Sequence, residues 1–325
     1  MSDHTPRPPR RPPGASPWKS ASSSPTRERS PSHDESPRPP RAHEERARAP
    51  RTRDEPRSPQ RMRDTAWPPA QPEEHAAHPA RARRDAELRV YGLNAVHAVF
   101  ARRPQAIRKL YLAEARIPAV QPLLKWCVAN RVGYRVVDEE DLGRLASSTH
   151  HEGVIADVMR EEPLSLSAWL RDLPAGPQCA LWLDGVGNPH NFGAILRSAA
   201  HFGVSAILLP KHSPLALSGA AARVAEGGAE AVPMVRLGRQ DNAIAQLRSA
   251  GFALAATVVQ GGKDVFDATL QQRLVFVLGS EGEGMDRELA AACDVRVSIP
   301  GTGAVESLNV AAATAVLLAA WRSRL

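Results

Sequence analysis

The stretch Cys179–Leu209, CALWLDGVGNPHNFGAILRSAAHFGVSAILL, decides the fold class of this 325-residue chain. Cys179 to Leu183 is an apolar run of strand length, Asn191 to Phe202 reads as a helix, and Ala206 to Leu209 reads as a second strand. Strand, helix and strand in that order make a parallel pair joined by a crossover helix. An uninterrupted apolar run suits a strand covered on both faces.

The alternation continues downstream. Gly219 to Glu226 reads as a helix, Met234 to Val235 as a strand, Ala243 to Ala250 as a helix and Ala253 to Thr257 as a strand. Leu274 to Leu278 is a second fully apolar run, Val295 to Ile299 the last strand, and Leu308 to Trp321 a long apolar helix. The pattern predicts an α/β fold over residues 178–325, a parallel sheet with helices on both faces. Ligands of such sheets bind beyond the carboxyl ends of the strands.

Upstream, residues 161–177 contain Pro163, Pro174, Gly176 and Pro177 and read as a linker, with Trp169 and Leu170 marking a short packed helix. Residues 88–160 read as a small α/β domain. Val96, Val99 and Phe100 stand at helical spacing, and Ile107 to Leu112 is a strand with Leu110 and Leu112 on one face. Val120 to Val128 is helical, Tyr134 to Val137 a short strand, and Gly153 to Val158 a last strand. Asp138 is placed to cap a helix from Glu139 to Leu145.

Residues 1–86 differ in kind. Met1 to Arg84 holds no Leu, Ile, Val, Phe or Tyr, too little apolar surface to offset the entropy of ordering, so a disordered tail is expected. Residues 1–84 carry 18 Lys+Arg against 11 Asp+Glu, and residues 85–325 carry 24 against 24, so the whole formal charge of +7 belongs to the tail. Clustered arginines on a flexible arm favour encounter with polyanions. A solubilising mixed-charge linker is the alternative reading.

Several function classes are excluded. No apolar run is long enough to span a bilayer, and no hydrophobic segment marks a secretory signal. Cys127, Cys179 and Cys293 are far apart and odd in number, which indicates neither a disulfide framework nor a zinc site. A reducing cytoplasm fits these features best. His150-His151-Glu152 lacks a third ligand nearby and reads as a loop pair, so no metal is expected. Gly185-Val-Gly187 follows a strand as a dinucleotide-binding turn would, but His190 takes the place of its third glycine. There is no Gly-Lys-Ser/Thr, hence no P-loop.

Three segments, each just after a strand, carry the chemistry. The first runs from Asn188 to Gly203 and contains Asn191, Gly193 and Arg197. The second is Leu278-Gly-Ser-Glu281-Gly-Glu-Gly284. The third is Ile299-Pro-Gly-Thr-Gly303-Ala-Val-Glu-Ser307-Leu-Asn309-Val. Together they resemble the three motifs of the SpoU (TrmH) family of RNA ribose methyltransferases: Asn-x-Gly with an Arg, Gly-x-Glu-x-x-Gly, and Ile-Pro, Gly, Ser-Leu-Asn-Val. The preceding domain is similar to the family's ribosomal-protein-like substrate-binding module, through Val90-Tyr-Gly-Leu-Asn-Ala-Val and His151-Glu-Gly-Val-Ile-Ala. The basic tail, Asp184-Gly-Val-Gly-Asn-Pro-His-Asn and Ala225-Glu-Gly-Gly-Ala-Glu look most like the YfiF-type branch.

The resemblance implies a SPOUT-type, trefoil-knotted catalytic domain, S-adenosylmethionine as cofactor, an RNA substrate (rRNA or tRNA) and a homodimer, with the last helix contributing apolar surface or packing within one subunit. It implies catalytic roles for Arg197, Asn191, Glu281, Ser307 and Asn309 in methylating a ribose 2′-hydroxyl. Cofactor binding would fall to Leu278, Gly279, Ser280, Ile299, Pro300, Gly303, Ser307 and Leu308. Arg197 is expected to bind a phosphate and stabilise a developing alkoxide rather than act as a base, because its pKa lies above about 12. Ser307 is also placed to cap the last helix, and Glu306 reads as a solvated residue. His190 is a candidate RNA contact, and His201 reads as a helix-face residue. The competing function is a non-catalytic RNA-binding or ribosome-assembly factor on the same scaffold.

Overall fold

The computed structural model describes residues 86–280, 282 and 284–325. The expected disordered tail lies outside them. Residues 87–159 form a four-stranded sheet in the order β1-β4-β2-β3. Its strands are β1 (Glu87–Tyr91), β2 (Ile107–Leu112), β3 (Gly133–Val136) and β4 (Val154–Met159). β4 is antiparallel to both β1 and β2, while β2 and β3 run parallel. Leu110 and Leu112 are both fully buried. Asp138 caps the helix Glu139–Ala146 by accepting the Asp141 N–H at 2.7 Å.

An eight-stranded sheet fills the rest of the chain, in the order β10-β12-β9-β11-β6-β7-β8-β5. Its strands are β5 (Leu164–Ser165), β6 (Gln178–Leu183), β7 (Ala206–Leu209), β8 (Met234–Arg236), β9 (Ala253–Thr257), β10 (Lys263–Asp264), β11 (Arg273–Leu278) and β12 (Val295–Ser298). Every neighbouring pair is parallel. The stretch read as linker supplies β5 at one edge and the helix Leu166–Arg171, whose Trp169 is buried.

Side-chain parity explains the two covered faces. On β6, Cys179, Leu181 and Leu183 join the core beneath the helices Pro189–Phe202 and Val310–Arg322. Ala180 and Trp182 join the opposite core, with Leu166 and Trp169, Ile244 and Leu247, and Leu289. Successive residues of a strand point to opposite faces, so a strand buried twice must be apolar throughout.

The chain runs outward from β6 through β7 to β8, then returns to β9 on the far side of β11. The order therefore reverses at β6 and β11, whose last residues, Leu183 and Leu278, are register partners. A crevice beyond the carboxyl ends of strands at such a reversal is the usual ligand site of an open parallel sheet.

Candidate active site

The helix Pro189–Phe202 starts at that crevice because its first turn is strongly specified. Asn188 Oδ1 accepts the N–H groups of His190 (2.8 Å) and Asn191 (3.4 Å), and Pro189 occupies the first helical position. Phe192, Ile195, Leu196 and Ala199 form the buried stripe, and Gly203 ends the helix at φ 73°. Cap, N-terminal proline and C-terminal glycine are the expected signature of such a helix.

Gly193 lies on the buried side, where a Cβ would stand 2.5 Å from the Ala221 carbonyl oxygen and 2.7 Å from Val224 Cβ. The glycine of the first motif is thus a close-approach residue between two helices.

The loop after β11 folds back on itself. Ser280 N–H donates to Gly284 O at 2.8 Å and Gly284 N–H to Ser280 O at 3.2 Å. Gly282 and Gly284 take φ values of 106° and 78°, a region that favours glycine. A Cβ on Gly279 would lie 2.5 Å from Gly284 C. Asp184, after β6, ties the two loops together: its N–H donates to Leu278 O at 2.8 Å, and its Oδ2 accepts the Asp286 N–H at 2.9 Å. Asp184 opens the segment that resembles the YfiF-type branch, and nothing in the sequence marks it as the tie between the two loops. Glu281, the acidic residue of the second motif, lies outside the described residues.

The third segment, residues 299–309, leads into the helix Val310–Arg322. Ser307 is not the cap of that helix. Asn309 is: its Oδ1 accepts the Ala311 N–H at 2.9 Å and the Ala312 N–H at 3.4 Å. Both residue types cap well, but the buried face begins only at Val310, leaving Ser307 and Leu308 exposed. Asn309 Nδ2 also donates to Asn191 Oδ1 at 3.0 Å, joining the first and third motifs. The last helix packs within the chain, burying Val310, Ala311, Thr314, Leu317, Leu318, Ala320 and Trp321.

Arg197 stands apart from this cluster. It lies six residues beyond Asn191, about 9 Å further along the helix axis. It is exposed, with no hydrogen bond or ion pair among the described residues. Its charge is one of the influences that hold Glu226 below the usual carboxylate range, after the Asn94 hydrogen bond and Arg223. His190 and His201 are exposed, and the His201 ring meets Phe202 edge-on at 4.9 Å. His151 is buried, and its Nδ1 accepts the Gly153 N–H at 3.1 Å. A separate cavity of about 150 Å³, lined by Leu88, Arg103, Arg160, Leu217, Glu230 and Arg236, contains none of the candidate residues.

The strand-end loops suit a nucleoside-like cofactor. Leu278 is buried at the strand end, Ile299 packs on the core, Leu308 is exposed, and Gly303 turns at φ 81°. Apolar faces with close backbone approach are what an uncharged planar base requires. All three cysteines are buried or half-buried, and burial pushes the Cys293 thiol up to about 11. That argues against a thiolate nucleophile. No helix among the described residues is long and apolar enough to cross a membrane.

Comparison with known proteins agrees with these features. The profile of the SpoU rRNA Methylase family matches residues 178–319, and a profile for RNA 2'-O ribose methyltransferase substrate binding matches residues 89–164. A protein of Escherichia coli O157:H7 named "Uncharacterized tRNA/rRNA methyltransferase YfiF" is 39% identical over 242 residues, covering 74% of this chain and 69% of that one. The 23S rRNA (guanosine-2'-O-)-methyltransferase RlmB of Bordetella pertussis is 37% identical over 231 residues, covering 70% of this chain and 93% of that one. The crystal structure of an AdoMet-bound rRNA methyltransferase from Sinorhizobium meliloti aligns with a TM-score of 0.63 at 25% identity, over 76% of this chain and 90% of that one.

Proposed function

This chain belongs to the SpoU rRNA methylase family, and on that premise we propose that it methylates a ribose 2′-hydroxyl of rRNA or tRNA, with S-adenosylmethionine as methyl donor. The observation that carries the reading is the Asn309–Asn191 hydrogen bond, which joins the first and third motifs beside the reversal of the sheet order. When bound, S-adenosylmethionine supplies a methyl group already activated on a sulfonium centre.

The protein's own residues do the rest. Leu278, Ile299 and Leu308 would hold the adenosine through apolar contact, and the backbone of Gly279, Ser280, Pro300 and Gly303 would offer it polar groups. Asn191 and Asn309 hold the pocket mouth in register. Ser307 would present a hydroxyl to the target ribose, and Glu281 keeps the catalytic role that the second motif implies. Arg197 binds the phosphate next to the target ribose and stabilises the oxyanion that develops at the 2′-oxygen as the hydroxyl proton passes to solvent water. Its guanidinium stays charged throughout.

The reading extends to a homodimer acting in the cytoplasm, with the exposed Val305 contributing apolar surface to the partner. Light scattering on the pure protein tests the dimer. Incubating wild type with labelled S-adenosylmethionine and total RNA tests the activity. Label retained on RNA and mapped to a 2′-oxygen is the expected outcome. Cofactor binding without transfer would instead favour a non-catalytic RNA-binding factor.

A further inference from the structure

The segments Val90–Val96, His151–Ala156 and Ala225–Glu230 take no part in the three strand-end loops, yet they meet at one place. At its centre is Arg223, on the short helix Gly219–Ala225 of the catalytic portion. Its Nη2 donates to Glu152 Oε1 at 2.5 Å, its Nε to the His150 carbonyl at 3.2 Å, and its Nη1 to Glu226. Glu152 Oε2 accepts the Leu93 N–H at 2.8 Å, at the start of the helix Leu93–Arg102. Glu226 Oε2 accepts Asn94 Nδ2 at 2.5 Å.

Both glutamates have φ of 52°, a left-handed conformation that side-chain-bearing residues seldom adopt. The backbone departs from its preferred geometry at the two residues whose carboxylates meet this guanidinium. The surroundings leave no slack. A Cβ on Gly92 would collide with Arg223 Cδ, and one on Gly219 would lie 2.7 Å from Tyr91 Cε1. A second clamp joins the same two portions: Arg103 pairs with Glu230 through Nε (2.6 Å) and Nη2 (2.7 Å), and its Nη1 donates to Met159 O at 2.6 Å.

We propose that Arg223 is a positioning residue, which locks the small α/β portion onto the catalytic sheet in one register and thereby selects the nucleotide that is methylated. The inference rests on the RNA-methylating function proposed above. RNA gripped by the small portion then reaches the pocket at a fixed offset. A buried core shared by Val90, Val96 and Val99 with Ala221, Ala222 and Ala225 joins the two portions, and the polar clamp at its edge fixes their register. Arg223 reaches His150 and Glu152 of the small portion, and Glu152 and Glu226 carry the link on to Leu93 and Asn94, which removes any freedom of offset.

The test compares full-length wild type with Arg223→Gln, Arg223→Lys and Glu152→Gln. Spin labels at Val128→Cys and Asn242→Cys, both exposed positions, report the distance between the two portions. Wild type should give one narrow distance. Arg223→Gln should broaden it, spread methylation over neighbouring nucleotides and lower kcat/KM for RNA at least tenfold. Affinity for S-adenosylmethionine should stay within twofold, and Arg223→Lys should restore part of the wild-type behaviour.

An Arg223→Gln protein that keeps the narrow distance and the single methylated nucleotide overturns the proposal, even if its unfolding midpoint falls. If Arg223→Gln does not fold, Glu152→Gln removes one arm of the clamp and gives the same readouts. If wild type transfers no methyl group, the proposed function fails. The spin-label distances and a hydroxyl-radical footprint of bound RNA then judge the lock separately, a footprint unchanged in the variants counting against it.

Discussion

Replacing Gly193 with alanine sets two effects of opposite sign against each other. In an exposed helix interior the exchange stabilises by about 1 kcal/mol, because alanine loses less backbone entropy than glycine. Here the added Cβ would stand 2.5 Å from the Ala221 carbonyl oxygen and 2.7 Å from Val224 Cβ. Neither atom can rotate away, and the Gly219–Ala225 helix that carries Ala221 and Val224 is itself held through Arg223. Overpacking of this kind typically costs about 1–3 kcal/mol, and the rigidity of both neighbours places it near the upper end. The expected net loss is about 2 kcal/mol. With a urea dependence of about 2–3 kcal/mol per molar, the unfolding midpoint should fall by roughly 0.7–1 M. Tryptophan fluorescence in urea measures this, with Gly238→Ala as control, since nothing lies within 4 Å of the Cβ added there. A Gly193→Ala midpoint at or above wild type would refute the packing argument and return Gly193 to a role in the chemistry.

Three further outcomes follow from the same geometry. Arg197→Ala should lower methyl transfer by about 10²-fold or more, the usual effect of losing an oxyanion-stabilising group. Its stability should change by less than about 0.5 kcal/mol, as for other exposed sites; full transfer of label from S-adenosylmethionine to RNA would remove the assigned role. Asn309→Asp keeps an oxygen for the Ala311 and Ala312 N–H groups but loses the donor to Asn191. It should therefore hold stability while transfer falls, whereas Asn309→Ala should also lose about 1 kcal/mol of capping; equal activity in both variants and wild type would show the amide contact to be idle. Glu226 is held below the usual carboxylate range by the Asn94 hydrogen bond and Arg223, so its contribution to stability is complete above that range. It is lost as pH falls through the lower value of the folded protein. Glu226→Gln should flatten urea stability against pH over that acid interval, and a curve merely offset in parallel would contradict the assignment.

Much of the fold was legible in the chain because local rules agreed with it. The runs Cys179–Leu183 and Leu274–Leu278 are apolar at every position, as a doubly covered strand must be, and both lie in the central strands β6 and β11. The helix read as Asn191 to Phe202 begins two residues earlier, at Pro189, where Asn188 caps it, and stops at Gly203 as its apolar stripe implies. The two-residue strands β5 and β10 were not legible, since a two-residue edge strand is too short to show a period. The short helix Arg287–Ala292 escaped for the same reason. The start of the last helix was misplaced because Ser307 and Asn309 cap equally well on local grounds. Burial of Val310 decides between them.

By itself the amino-acid order determined the alternation of strands and helices, the three loop motifs and, through them, the family, because each is written in residues close together along the chain. Tertiary structure alone decided which distant groups meet. Asn191 and Asn309, 118 positions apart, share a hydrogen bond, and Arg223 grasps a carboxylate 71 positions away. Such pairings depend on strand order and register, which arise from burying two apolar faces at once. No local propensity contains that information.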